Sequence, residues 1–249
     1  MSVPAFYLPP EKWTEAPVLD EGEFRHLHVL RLKEGSEIIL LDGRGREASC
    51  ELARVDRKSA SLKILAEKTT PPPGARPIMA LALSKAIRRD FFMEKAAELG
   101  AWAIWLWQAK RSQGKLDEAL ARSVRARLIA GIKQSHNPWL PQVEVFNGID
   151  SLISTAGMCQ WKIMPWESRD GAPMADVNQL GREGDSVYVI GPEGGFAEEE
   201  LESLRDAGFS AVSFGDRVLR CETAAMLCLG LHWWASQLPG RVDYRRNDG

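Results

Sequence analysis

The chain has 249 residues, 45% of them hydrophobic and 27% charged, with a formal net charge of −2. A chain of this length buries roughly 70–75% of its unfolded surface on folding, and its composition excludes disordered, collagenous and disulfide-stapled classes. No apolar run reaches the ~20 residues of a membrane helix, and the segment from Met1 to Trp13 has neither the basic start nor the apolar middle of a secretory signal, so a cytoplasmic protein is expected.

Taken in order, Glu37–Leu41 and Ala60–Leu65 read as β-rich runs, and Asp42-Gly-Arg-Gly45 between them as a turn, which predicts a small β-barrel or sheet over residues 1–70. His26 and His28 are expected on a surface loop. The run Thr69–Pro77 contains three consecutive prolines, which exclude helix and central strand, so a linker is placed at 71–77. Over 78–249 strands alternate with helices. Ile78–Leu83, Trp102–Trp107, Val143–Phe146, Trp161–Met164, Val187–Ile190 and Ala211–Phe214 read as strands. Arg89–Leu99 (stopped by Gly100), Glu198–Ala207 and Glu222–Gln237 read as helices. Leu116, Leu120, Val124, Leu128 and Ile132 recur every four residues and build one helical face, with Arg122, Arg125 and Lys133 off it. This alternation predicts an α/β fold: a mostly parallel sheet covered by helices on both faces.

Charge is unevenly spread. Residues 76–140 carry 12 Lys+Arg against 5 Asp+Glu, whereas 141–249 carry 9 against 17. A basic middle third suits an anionic partner such as nucleic acid, although solvated helix faces give the same count. The four cysteines, Cys50, Cys159, Cys221 and Cys228, form no CxxC pair and no metal-ligand spacing, so reduced thiols and no metal are expected. The four histidines show no arrangement for Ser-His-Asp hydrolysis.

Three loops fall at one edge of the expected sheet. In Val187-Tyr-Val-Ile-Gly-Pro-Glu-Gly-Gly195 a buried strand runs into a glycine-rich turn that opens a helix, a place where α/β sheets bind ligands. Neither a P-loop nor a GxGxxG loop is present. Glu193 and the Glu198-Glu199-Glu200 run would repel a diphosphate, so a neutral or cationic small molecule fits better; a plain strand-to-helix turn explains the same residues. Ala197, at the N-cap, lacks the acceptor of Ser or Thr, a deficit of about 1 kcal/mol that first-turn glutamates offset in part. In Phe214-Gly-Asp-Arg-Val-Leu-Arg-Cys-Glu-Thr-Ala-Ala225, Arg217 and Arg220 are cationic donors, while Glu222 and Thr223 either cap the helix or accept from a ligand. Ser84-Lys-Ala-Ile-Arg-Arg-Asp90 follows the first strand. Trp139, flanked by prolines, is available to stack on a base. Trp233 and Trp234, with Leu227, Leu231 and Leu238, suit either a core or a dimer interface.

Several of these stretches resemble one family. They are His26-Leu with Val29-Leu-Arg-Leu32, Asp42-Gly-Arg-Gly45, Glu94-Lys-Ala-Ala-Glu-Leu-Gly100, Gln134-Ser135, Ile190-Gly-Pro-Glu-Gly-Gly-Phe196 and Gly215-Asp-Arg-Val-Leu-Arg-Cys-Glu-Thr-Ala224. In this order, across nearly the whole chain, they resemble the E-type small-subunit ribosomal RNA uridine N3-methyltransferases of the SPOUT superfamily. The resemblance implies a PUA-like RNA-binding β-barrel at 1–70, the linker at 71–77, and a SPOUT methyltransferase domain at 78–249 whose chain end threads a trefoil knot. It implies S-adenosyl-L-methionine as cofactor, a homodimer with the pocket near the subunit interface, no metal or membrane partner, and methyl transfer to N3 of one uridine in 16S rRNA of the small ribosomal subunit. By position, Gly191, Pro192, Glu193, Gly194, Gly195, Leu219, Arg220, Glu222, Thr223 and Ala224 would line the cofactor pocket. Lys85, Arg88, Arg89, Arg111, Arg31 and Gln134 would meet RNA, and Arg220 would stabilise charge developing on a uracil carbonyl. The family usually continues Gln-Ser with Gly-Arg; here His136-Asn137 follow, and Glu94 stands where glutamine is common. Two alternatives remain: a non-catalytic RNA-binding protein of the same fold, and a SPOUT methyltransferase acting on another RNA position.

Overall fold

Alternating burial along Glu37–Leu41, with Ile38 and Leu40 inside, marks a sheet covered on one face. The computed structural model describes residues 3–83, 86–112, 116–166, 171–176 and 179–238, without the side chains of 86–89. Two units emerge, one of residues 1–73, 93–100 and 122–141, the other of 74–92, 101–121 and 142–249.

In the first unit, β1 (Ala5–Tyr7), β2 (Glu37–Leu41), β3 (Arg46–Val55) and β4 (Ala60–Thr69) form a sheet in the order β1-β2-β3-β4. The β1-β2 pair is parallel and the other two are antiparallel. A bridge between Val18 and Ser61 extends the sheet beyond β4. Its buried side chains, among them Phe6, Leu40, Cys50, Leu52 and Leu62, meet Phe24 and Leu27 of α1 (Glu21–Val29). The N-cap of α1 is Asp20, whose Oδ1 accepts from Glu23 N at 3.1 Å. His26 and His28, expected on a loop, lie on α1 instead. The His26 ring sits edge-on to Phe6 at 5.3 Å, and burial holds its pKa below the ordinary value.

This unit also takes in the end of α2 (Ala86–Glu98) and most of α3 (Glu118–Ser135). Val124, Leu128 and Ile132 of the expected apolar stripe are fully buried. Lys133, off that stripe as expected, is nonetheless largely buried: its Nζ lies 2.8 Å from Glu23 Oε1, with the two side chains only 15% and 10% exposed. Among the described residues, the two non-glycine ones with positive φ follow helix ends here. Arg31 (φ 56°) and His136 (φ 54°) stand where a left-handed residue closes α1 and α3, with Leu32 N donating to Leu27 O and Asn137 N to Ile132 O.

The second unit holds β5 (Ala75–Ala82), β6 (Ala103–Trp107), β7 (Gln142–Phe146), α4 (Ile149–Ala156), β8 (Trp161–Pro165), β9 (Gly184–Ile190), α5 (Glu198–Asp206), β10 (Ser210–Val212) and α6 (Cys221–Ser236). β5 begins at Ala75, so Ala75 to Pro77 of the expected linker are strand. All pairs are parallel, in the order β10-β8-β9-β5-β6-β7. Both faces are covered, which explains the unbroken apolar runs Ala103–Trp107 and Val187–Ile190. Ala80, Trp105, Trp107 and Val189 pack on one face with Leu152 of α4 and Leu201 and Leu204 of α5. On the other, Tyr188 reaches α6, its Oη 2.9 Å from His232 Nδ1. All four cysteines are free thiols, and Cys50, Cys159 and Cys228 are buried. Among the described residues no helix is long and apolar enough to cross a membrane.

Candidate functional site

Parallel pairing puts the carboxyl ends of β8, β9 and β10 at one edge, where their outgoing loops enclose a cleft of about 740 Å³. That volume lies in the range of small-molecule sites. The turn after β9 forms one wall. Gly195 has φ +71°, and its N–H donates to Pro192 O at 2.9 Å. A Cβ on Gly191 would lie 2.8 Å from the Phe196 ring, which stacks near Trp107 and Trp166 at centroid distances of 6.0 and 6.1 Å. Glycine is required at both positions, at the first for sign of φ and at the second for space.

The helix that follows has no acceptor in its N-cap side chain, as expected for Ala197. Glu200 supplies the other half of a capping box: its Oε2 accepts from Ala197 N at 2.8 Å, and its Oε1 from Lys110 N at 2.8 Å. This carboxylate is only 2% exposed, so a short loop after β6 is tied to the start of α5. Two residues of that loop reinforce the tie. Lys110 Nζ pairs with Glu199 at the surface, and Arg111 Nη1 donates to Gly194 O at 3.0 Å and Phe196 O at 3.1 Å.

The opposite wall comes from the segment after β10. Phe214, Gly215, Arg217, Val218, Leu219 and Arg220 line it, ending at the N-terminus of α6, where Arg220 is the N-cap residue. Arg217 and Arg220 are exposed. Cys221 also lines the cleft, but burial, its hydrogen bond to Glu222 Oε2 and the charges of Glu222 and Glu193 raise its thiol to about 11. It is a neutral thiol near pH 7 and unsuited to act as nucleophile or base.

Of the ten residues expected around a cofactor, Gly191, Pro192, Glu193, Gly195, Leu219, Arg220 and Ala224 line this cleft. Gly194 is in the same turn without lining it, and its place near Arg111 is tight, with a Cβ meeting Arg111 Cβ at 3.3 Å. Glu222 lines a separate small cavity with Leu81, Phe92 and Ala225, and Thr223 is an exposed residue of the first turn of α6. Of the residues expected at RNA, Arg111 lines the cleft while holding two turn carbonyls. Arg31 and Gln134 are exposed at the ends of α1 and α3. Lys85 lies outside the described residues, as do the side chains of Arg88 and Arg89 on α2. Trp139 is half-buried, and its ring lies over Gly45, where a Cβ would approach to 2.6 Å. Sequence reasoning missed Pro165, at the end of β8, and Trp166 after it; Phe196, Glu198 and Phe214, named in the motifs without a place among the pocket residues, line the cleft as well.

Comparison with known proteins gives a consistent result. A family model described as an RNA methyltransferase domain matches residues 72–233, and one described as an RNA methyltransferase PUA domain matches 19–65. The chain is 33% identical over 225 residues to ribosomal RNA small subunit methyltransferase E of Mycobacterium bovis, covering 85% of this chain and 82% of that one. A methyltransferase from Legionella pneumophila, solved with the bound cofactor SAM, is 27% identical with a TM-score of 0.81, covering 94% of this chain and 98% of that one. Ribosomal RNA small subunit methyltransferase E from Neisseria gonorrhoeae, bound to S-adenosyl methionine, is 29% identical with a TM-score of 0.80, covering 92% and 95%.

Proposed function

We propose, from the premise that this chain belongs to the E-type small-subunit ribosomal RNA methyltransferases, with a SPOUT-type α/β domain behind a PUA-like one, that it methylates small-subunit ribosomal RNA from S-adenosyl-L-methionine. The finer reading is N3 of a single uridine in 16S rRNA. The observation that carries it is the cleft between the Gly191–Ala197 turn and the N-terminus of α6, inside the segment matched to the RNA methyltransferase domain.

The cleft suits the cofactor on its own chemistry. Glu193 and Glu198 face it with negative charge, which favours a sulfonium and disfavours a diphosphate, while Trp166, Phe214 and Leu219 offer apolar surface to a planar base. When bound, the cofactor supplies an electrophilic methyl group. The chain's own task is then to hold two reactants in register and to manage charge as the N3 proton departs. Arg220, exposed on the cleft wall, is the group we assign to a uracil carbonyl, where a fixed cation stabilises developing negative charge. No residue of the cleft stands out as general base.

We also read residues 1–70 as the RNA-binding part and 78–249 as the catalytic part. Arg31, Gln134, Lys85, Arg88 and Arg89 are proposed to meet RNA. The return of the chain from the edge strand β10 to α6, which packs against β5 and β9, supports a trefoil knot. Trp233 and Trp234 are 46% and 49% exposed on α6, which supports a homodimer formed through that helix. A ribosomal substrate supports a cytoplasmic location for the enzyme.

Mass spectrometry of nucleosides from small-subunit particles incubated with the purified protein and S-adenosyl-L-methionine tests the reading. N3-methyluridine is expected, with Arg220→Ala reducing its rate by a larger factor than it weakens cofactor binding. N1-methylated or ribose-methylated products would move the target, and RNA binding without cofactor uptake would make the protein a non-catalytic binder.

A further inference from the structure

Arg111 was expected at RNA phosphates, yet its observed partners belong to the cleft. Nη1 bridges the carbonyls of Gly194 and Phe196, on either side of Gly195, whose positive φ sets the bend. The neighbouring Glu200 carboxylate takes the amides of Ala197 and Lys110. The turn is thereby held by both of its polarities from the β6 loop: two carbonyls by a guanidinium, and the amide at its end by a carboxylate shared with that loop. Partners 83 to 90 positions apart in sequence are joined in this way.

We propose that Arg111 and Glu200 are positioning residues, which fix the Gly191–Ala197 turn in its cofactor-receiving shape, and that Arg111 is not an RNA-contacting residue. The inference rests on the reading of the cleft as the cofactor site. Its physical basis is that a glycine-rich turn has many accessible backbone states, and charge-assisted hydrogen bonds that select one of them remove an ordering cost at the moment of binding. Both Arg111 contacts are made by one nitrogen of the planar guanidinium, whose protons have fixed directions. Lysine carries the same charge but presents it as a compact point, so it recovers the electrostatics with loss of the fixed fork.

The test compares Arg111→Lys, Arg111→Met and Glu200→Gln with the unaltered protein in three measurements. These are calorimetric affinity for S-adenosylhomocysteine, steady-state KM and kcat with small-subunit particles, and the salt dependence of RNA binding. For Arg111→Met we expect cofactor affinity to fall about tenfold, in line with losing a bridged charge-assisted pair at a partly exposed site. The KM for S-adenosyl-L-methionine should rise by a similar factor, with kcat at saturating cofactor changed less than threefold. Arg111→Lys should recover part of the affinity. The RNA salt slope should not change, whereas loss of a phosphate contact would reduce it by about 1. Glu200→Gln, which cannot accept at both oxygens, should weaken cofactor binding in the same direction with the protein still folded by circular dichroism. Unchanged cofactor affinity together with a reduced salt slope in Arg111→Met would overturn the proposal and return Arg111 to the RNA. If the unaltered protein itself takes up no cofactor, the reading of the cleft fails instead.

Discussion

Replacing Gly191 by alanine tests how tightly the floor of the cleft is built. The new Cβ would lie 2.8, 3.0 and 3.1 Å from three carbons of the Phe196 ring, against an ordinary carbon contact of about 3.5–4.0 Å, an overlap of roughly 0.7 Å. Phe196 cannot swing aside freely, because it is 9% exposed and stacked near Trp107 and Trp166. Relief must come from the turn. Overpacking of this kind costs about 1–3 kcal/mol, while the reduced entropy of the unfolded chain returns about 0.4–1 kcal/mol, so a net loss of about 1–2 kcal/mol is expected. For a chain of this size that lowers Tm by roughly 2–8 °C. Displacing the turn should also weaken S-adenosylhomocysteine binding about tenfold, equivalent to about 1.4 kcal/mol. The decisive assay is a double-mutant cycle with Phe196→Leu, read by urea unfolding and by calorimetry. Removing the ring removes the clash, so the second substitution should cost less in the Gly191→Ala background than alone, with a coupling of about 1 kcal/mol. Additive losses would refute the steric reasoning.

Three further outcomes follow from particular residues. His136→Gly should raise stability by about 0.5–1 kcal/mol in urea unfolding, because a left-handed conformation costs an L-residue about 1–2 kcal/mol and glycine's greater unfolded entropy cancels only part of that. Glu23 is held above its ordinary pKa of 4.5, since burial outweighs the attraction of Lys133. The folded state therefore binds the Glu23 proton more tightly than the unfolded one, and this group's stabilising contribution is present below pH 4.5 and lost as pH rises through the folded pKa. The stability of the unaltered protein relative to Glu23→Gln should accordingly decline as pH rises from 4.5 through the folded pKa, and a difference that grows with pH would show the ion pair to dominate instead. Trp233→Glu with Trp234→Glu should give a monomer by light scattering if α6 forms the dimer contact, and an unchanged mass would remove that helix from the interface.

Much of the parallel sheet was legible because its strands are buried on both faces and carry uninterrupted apolar runs, as in Ile78–Leu83 and Ala103–Trp107. The elements that escaped notice lack such a signal. β1 is three residues among prolines, and α4 is eight residues long. α1 buries Phe24, Leu27 and Glu23, the last acceptable only because Lys133 reaches it from α3, 110 positions away. The strand order was equally hidden, since nothing local says that β8 inserts between β10 and β9.

The candidate site divides along the same line. The turn after β9 and the start of α6 are contiguous motifs whose glycines and charges are visible one by one, so most of the lining could be named from the sequence. What holds the motif in shape could not. Read locally, Ala197 is a poor N-cap and Arg111 a spare cation in a basic segment. In the structure the two observations are linked. The amide of the cap residue Ala197 is taken by Glu200, the same carboxylate secures the β6 loop at Lys110, and that loop delivers Arg111 to the carbonyls of Gly194 and Phe196. A serine at position 197 would offer a hydroxyl to the first-turn amides without touching the Glu200 contacts to Ala197 N and Lys110 N. The expected gain from Ala197→Ser in urea unfolding is therefore the usual ~1 kcal/mol of a side-chain cap, whereas Glu200→Ala should cost more than a cap, because it leaves two backbone amides unpaired beside the cleft.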